Sequence, residues 1–152
     1  MTATAHAIVG AAIISKITNP VAGFSVAFIS HFFLDKFPHW DPMTNRKTKT
    51  QKRILVETIV DVFLGFGLIY LIFVLGLKKD PGMIFLAAFV SQLPDWAEIP
   101  YTFFKLKLAG VYQIYRLQKW FHDVGFNSRA QAPWGIITQI LTCVIFLLWS
   151  LL

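Results

Sequence analysis

The stretch His31-Phe-Phe-Leu-Asp35-Lys-Phe-Pro-His39-Trp-Asp41 sets four metal-competent side chains within eleven residues. His31 and Asp35 stand four apart, so on a helix they share one face a single turn apart. Pro38 ends that helix and turns His39 and Asp41 back toward it. Imidazoles and carboxylates held this way form the ligand sets of zinc or of another divalent transition metal. The same residues also fit a helix C-terminus carrying a dipole-favoured histidine and an aromatic interface anchor.

The elements that must position them are apolar. The chain is 56% hydrophobic and 14% charged over 152 residues, whereas ordinary soluble domains carry roughly a quarter charged residues. The expectation is a single domain, 1–152, embedded in a lipid bilayer as an all-α bundle of about five to six helices. Fifteen Phe and five Trp suit a lipid-facing surface with interfacial anchors. Cys143 is the one cysteine, which rules out an intrachain disulfide and a cysteine-based zinc site. No basic leader of a signal peptide, glycine-rich phosphate loop or internal repeat is evident.

Thr2 or Thr4 caps a first helix, Ala3 to about Ile17, whose Gly10, Ala11 and Ala12 admit close neighbours. Thr18-Asn19-Pro20 turns the chain into a second helix, Val21 to about Lys36. At roughly 22 Å each, the two make a short N-terminal hairpin, barely spanning or re-entrant. A polar, basic connector follows. Ile54 to Leu77 is the clearest span, Met83 to about Leu93 a fourth helix ended at Pro94, and Pro133 to Leu152 an uncharged last helix. Tyr101 to Phe121 mixes Lys105, Lys107, Arg116 and Lys119 with Phe, Leu and Tyr, the pattern of an amphipathic helix at the membrane surface.

By the positive-inside rule, the 36–53 connector faces the cytoplasm together with the 105–129 region, so eleven of the 14 basic residues fall on that side. The same end carries His6, His31, Asp35, His39, Asp41, Glu57, Asp61, Asp95, Glu98, His122 and Asp123. A charge within an apolar helix costs about 2.5–3.5 kcal/mol on insertion scales, so such residues face a partner or a cavity. Lipid packing alone asks for no such gathering.

Thr2-Ala3-x-x-His6, followed by Ser30-His31-x-x-x-Asp35-x-x-Pro38-His39-x-Asp41, resembles the small integral-membrane metal-dependent hydrolases. These are similar in turn to the all-α zinc-dependent phospholipases C and single-strand nucleases. The resemblance implies a helical metal cluster with His6 as the N-terminal ligand, His31 and Asp35 as the His-x-x-x-Asp pair, and Asp95 as the Pro-Asp ligand. After Pro94-Asp95 this chain has Trp96-Ala97-Glu98 where those hydrolases carry a further Asp and His.

The expected function is therefore hydrolysis of a phosphoester, or of a lipid head group, at the cytoplasmic interface. Metal, zinc above all, would be held by His6, His31, Asp35 and Asp95, with His39 ligating or orienting a ligand. Asp61 or Glu57 would accept the proton of an activated water. Partners would be the bilayer and an anionic lipid or phosphoester, drawn by the basic rim, with no nucleic acid and no assigned oligomer. The alternative is a non-enzymatic membrane scaffold, lipid-binding protein or transport-associated protein with a structural His/Asp network.

Overall fold

The computed structural model describes residues 1–104, 106–123 and 130–152, and the side chains of 1–101, 106–121 and 130–152. Lys105, Arg129, the His122-Asp123 side chains and the Phe103-Phe104 pair lie outside these. The described residues are all-helical. α1 (Ala3–Lys16), α2 (Pro20–Leu34), α3 (Gln51–Ile69), α4 (Pro81–Phe104), α5 (Val111–Asp123) and α6 (Trp134–Leu151) follow one another. A short 3₁₀ turn, Arg46–Thr48, precedes α3, which runs on as a π-helical segment, Tyr70–Gly76.

α1 is the axis of the bundle. Every residue from Ala5 to Ile14 is buried, and α2, α3, α4 and α6 all pack on it. A helix apolar all round belongs in an interior, and its small residues set how close the neighbours come. A Cβ on Gly10 would stand 2.8 Å from the Ala87 carbonyl oxygen and 2.8 Å from Ser91 Oγ. One on Gly65 would meet Thr4 Cα at 2.9 Å. These two glycines let α4 and α3 touch α1 backbone to backbone.

Two helices are long and apolar enough to cross a membrane: Gln51–Gly76 and Trp134–Leu151. Only 17% of either apolar stretch is buried within the bundle. Val60, Phe63 and Leu71 on one, and Ile140, Ile145 and Leu148 on the other, are exposed. Contiguous apolar surface of this extent needs a cover.

Two sequence expectations are corrected. α4 does not stop at Pro94 but continues through Pro94 and Pro100 to Phe104. A proline there removes one backbone bond and crowds the preceding turn. Pro94 is fully buried, and the contacts of α4 with α1, α2 and α5 hold the helix on course. The amphipathic segment accordingly starts later, at Val111, after Gly110 turns the chain with φ +82°.

The loop 36–50 is clasped by the start of α6. Trp40 N–H donates to the Gly135 carbonyl at 3.2 Å and Ala130 N–H to the His39 carbonyl at 2.8 Å. A Cβ on Gly135 would lie 2.7 Å from Trp40 N, so glycine is required for this approach. The Gln139 amide ties the clasp to α1. Its Nε2 donates to the Trp40 carbonyl at 2.8 Å, and its Oε1 accepts from Thr2 N–H at 2.9 Å.

Candidate metal centre

His6, His31 and Asp95, from α1, α2 and α4, meet in the bundle, each offering a ligand atom within 4.8 Å of the other two. Asp35, one turn beyond His31, is buried between the imidazoles. Its Oδ1 is 3.1 Å from His6 Nε2 and its Oδ2 is 3.3 Å from His31 Nε2. His31 Nε2 is also 3.6 Å from Asp95 Oδ1. Zinc bonds of about 2.0–2.1 Å in a tetrahedron put neighbouring ligand atoms roughly 3.3 Å apart, and these three separations straddle that value. The two rings stack with centroids 4.1 Å apart.

The ring nitrogens are not equivalent. His31 Nδ1 lies 2.8 Å from the Ser91 carbonyl oxygen, which only accepts, so Nδ1 carries the proton and donates it. In the neutral imidazole the lone pair then sits on Nε2 and faces the two carboxylates, an arrangement that calls for a cation or a donor between them. Metal-binding histidines are commonly oriented this way, through a backbone carbonyl on the other nitrogen. Ser91 also donates from Oγ to the His6 carbonyl at 2.9 Å, fastening α4 to α1 beside the rings. His6 Nδ1 is buried without a hydrogen-bond partner among the described residues. Two hydrogen-bond donors, one charged and one neutral, already reach the cluster's acids or lone pairs. The amino group of Met1 lies against Asp35 Oδ1, and the Gln118 amide of α5 donates from Nε2 to Asp95 Oδ1 at 2.7 Å while meeting His31 Nε2 at 3.3 Å.

The remaining predicted residues fall elsewhere. His39 is buried in the loop, with Nδ1 2.8 Å from the Phe37 carbonyl and Nε2 3.5 Å from Asp41 Oδ2. It is not in the group that His6, His31 and Asp95 form. Burial, then the Met1 ammonium, holds its imidazole below the ordinary pKa. Asp61 caps α1 from α3. Its Oδ2 accepts from Ala3 N–H at 2.6 Å, and its Oδ1 accepts from Thr4 Oγ1 at 2.7 Å and Thr4 N–H at 3.2 Å. These are amide donors that a helix start otherwise leaves unmet. Glu57 pairs with Lys49 Nζ at 2.7 Å and Arg53 Nε at 2.8 Å.

Sequence reasoning passed over Ser91, Gln118 and Gln139. The adjacent polar pair Ser91-Gln92 inside an apolar helix was a usable signal. Gln118 carried none, because a glutamine on a basic amphipathic helix reads as solvated.

Beside the cluster lies a cavity of about 480 Å³ between α3, α4 and α5. Asp35, Asp41, Asp61, Asp95 and Glu98 line it, with Ile54, Leu55, Val62 and Ile99 as apolar walls. So many carboxylates around one space favour a bound cation, whose charge must offset theirs before a phosphoester can enter. No protein-family model, curated protein or solved structure matches the chain.

Proposed function

We propose that this chain is an integral-membrane, metal-dependent hydrolase of phosphoesters, with lipid head groups as the substrate class. The convergence of His6, His31, Asp35 and Asp95 beside an acid-lined, apolar-walled cavity carries this reading. The two long apolar helices, with most of their surface outside the bundle, support a bilayer setting. The distribution of Lys and Arg favours a cytoplasmic site.

His6, His31, Asp35 and Asp95 would hold a divalent ion, zinc being the best match to this mixed set, and it would supply Lewis acidity and lower the pKa of water. The chain's own residues do the rest. His6 and His31 would present ring nitrogens to the ion, Ser91 fixes the His31 tautomer, and Asp35 and Asp95 would supply charge. Of the two carboxylates expected to take a proton, Asp61 lines the cavity and Glu57 does not. Asp61 is thus the better base, held in place by its bonds to α1. The apolar walls limit water around the reacting group.

A second reading has its own support. The Met1 ammonium on Asp35 and the Gln118 amide between His31 and Asp95 close the network without a metal, as in a structural core of a scaffold or transport-associated protein. Metal content of the detergent-purified chain, with turnover of a chromogenic phosphodiester, separates the two. The hydrolase binds stoichiometric metal that His31→Ala and Asp35→Ala abolish along with turnover. Absence of metal at full occupancy of fold sinks it.

A further inference from the structure

Gln118 is the one fully buried side chain of α5 among the described residues, on a helix whose Leu117, Lys119 and Trp120 are exposed. A buried amide on a surface helix needs a purpose. Its Nε2 stands against His31 Nε2 and Asp95 Oδ1, on two of the residues that make the metal group, at 3.3 and 2.7 Å. Its Oε1 is buried and has no hydrogen-bond partner among the described residues.

We propose that Gln118 is a further metal ligand, one whose amide reverses when the ion binds. This rests on reading the group as a metal centre. The NH₂ supplies two donors and serves both acceptors at once. A half-turn about the last side-chain bond, where the torsion is broad and two-fold, exchanges Nε2 and Oε1 without moving the backbone. Oε1 then faces an imidazole lone pair and a carboxylate oxygen. Three acceptors repel one another with nothing between them, and they form an oxygen–nitrogen–oxygen ligand set around a cation. His6 and Asp35 stand beside this set as the other two candidate ligands. The orphaned oxygen gains its partner in the same turn. Because Gln118 belongs to α5, ion binding also pins the amphipathic helix to the bundle.

The test uses the full chain in detergent micelles, titrated with Co²⁺ against a competing chelator at neutral pH. Variants are Gln118→Ala, Gln118→Met (similar length, no amide), Gln118→Glu and His31→Ala. Backbone hydrogen exchange over α5 is followed with and without Co²⁺. The expected result is binding weakened by about 10- to 100-fold in Gln118→Ala and Gln118→Met, with an altered Co²⁺ ligand-field band. Gln118→Glu restores or tightens binding. Co²⁺ slows exchange across α5 in the native chain and not in Gln118→Met, and either neutral variant suffices if the other fails to fold. Unchanged or tighter binding with an unchanged band in Gln118→Met overturns the proposal, and the metal centre itself stands if His31→Ala still loses the ion. A native chain that binds no Co²⁺ overturns both.

Discussion

His31 donates a hydrogen bond from Nδ1–H to the carbonyl oxygen of Ser91 at 2.8 Å, one turn of α4 before Asp95. That single bond decides which nitrogen faces the carboxylates. It also ties the end of α2 to α4 at the height where His6 arrives from α1. The cluster is therefore built from the same contacts that close the bundle, and changes to it divide into those that disturb the fold and those that disturb only a ligand.

Asp35 and Asp95 should separate along that line. Asp35 is 2% exposed and bridges both imidazoles, whereas the Asp95 side chain is 44% exposed toward the cavity. In the presence of chelator, Asp35→Ala should lower stability by roughly 3–5 kcal/mol, the usual result of stripping one partner from a buried pair. Asp95→Ala should leave chelated stability nearly intact while removing most of the metal affinity. Thermal unfolding in detergent together with metal analysis checks both, and equal loss of stability in the two variants would contradict the assignment.

Asp61 should behave first as a helix cap. Asp61→Ala strands the Ala3 and Thr4 donors at the half-buried start of α1. A loss of about 2–3 kcal/mol is expected, in the range for hydrogen bonds to charged groups. Asp61→Asn, which keeps an acceptor oxygen, should recover part of it. If Asp61 also takes the proton in catalysis, Asp61→Asn stays inactive at temperatures where it is folded. Glu57→Ala should retain both metal and turnover, because Lys49 and Arg53, outside the cluster, hold its carboxylate.

Helix contact at Gly10 is tight enough to show in a single methyl. Gly10→Ala should destabilise by about 1–3 kcal/mol through overpacking against Ala87 and Ser91. Gly67→Ala meets nothing within 4 Å and should be neutral or slightly stabilising. Comparison of their unfolding midpoints is the measurement, and a Gly10→Ala protein as stable as the parent would contradict the packing.

The His39 imidazole is held below its ordinary pKa of 6.5 by burial. The folded chain thus binds fewer protons than the unfolded one as pH falls below that value. Stability is then lost from about 6.5 downward, until the folded-state pKa is passed. His39→Gln should flatten this part of the stability–pH curve, measured with chelator present so that metal release does not contribute. An unaltered curve would mean that His39 is not buried as described.

Much of the local structure could be read directly. Thr2 caps α1 as its residue type suggests, and Asn19-Pro20 opens α2. The limits of α1, α2 and α6 follow apolar runs punctuated by Pro and polar residues, because a helix boundary depends on neighbours within about four positions. The gathering of His6, His31, Asp35 and Asp95 at one end was visible as well, since short antiparallel helices alternate ends and fix depth by counting residues.

Depth is not direction, and direction came only with packing. Asp61 and Glu57 share a helix face by spacing, yet one caps α1 and the other faces Lys49 and Arg53. Pro94 marks a helix end on local grounds, and α4 passes through it because its flanks are held by three other helices. Gln118 reaches a histidine 87 positions away, and Gln139 reaches Thr2 across 137. Such partners depend on the angles and spacings at which whole helices meet. Those are set by small residues such as Gly10, Gly65 and Gly135 acting across contacts that no short window of sequence contains.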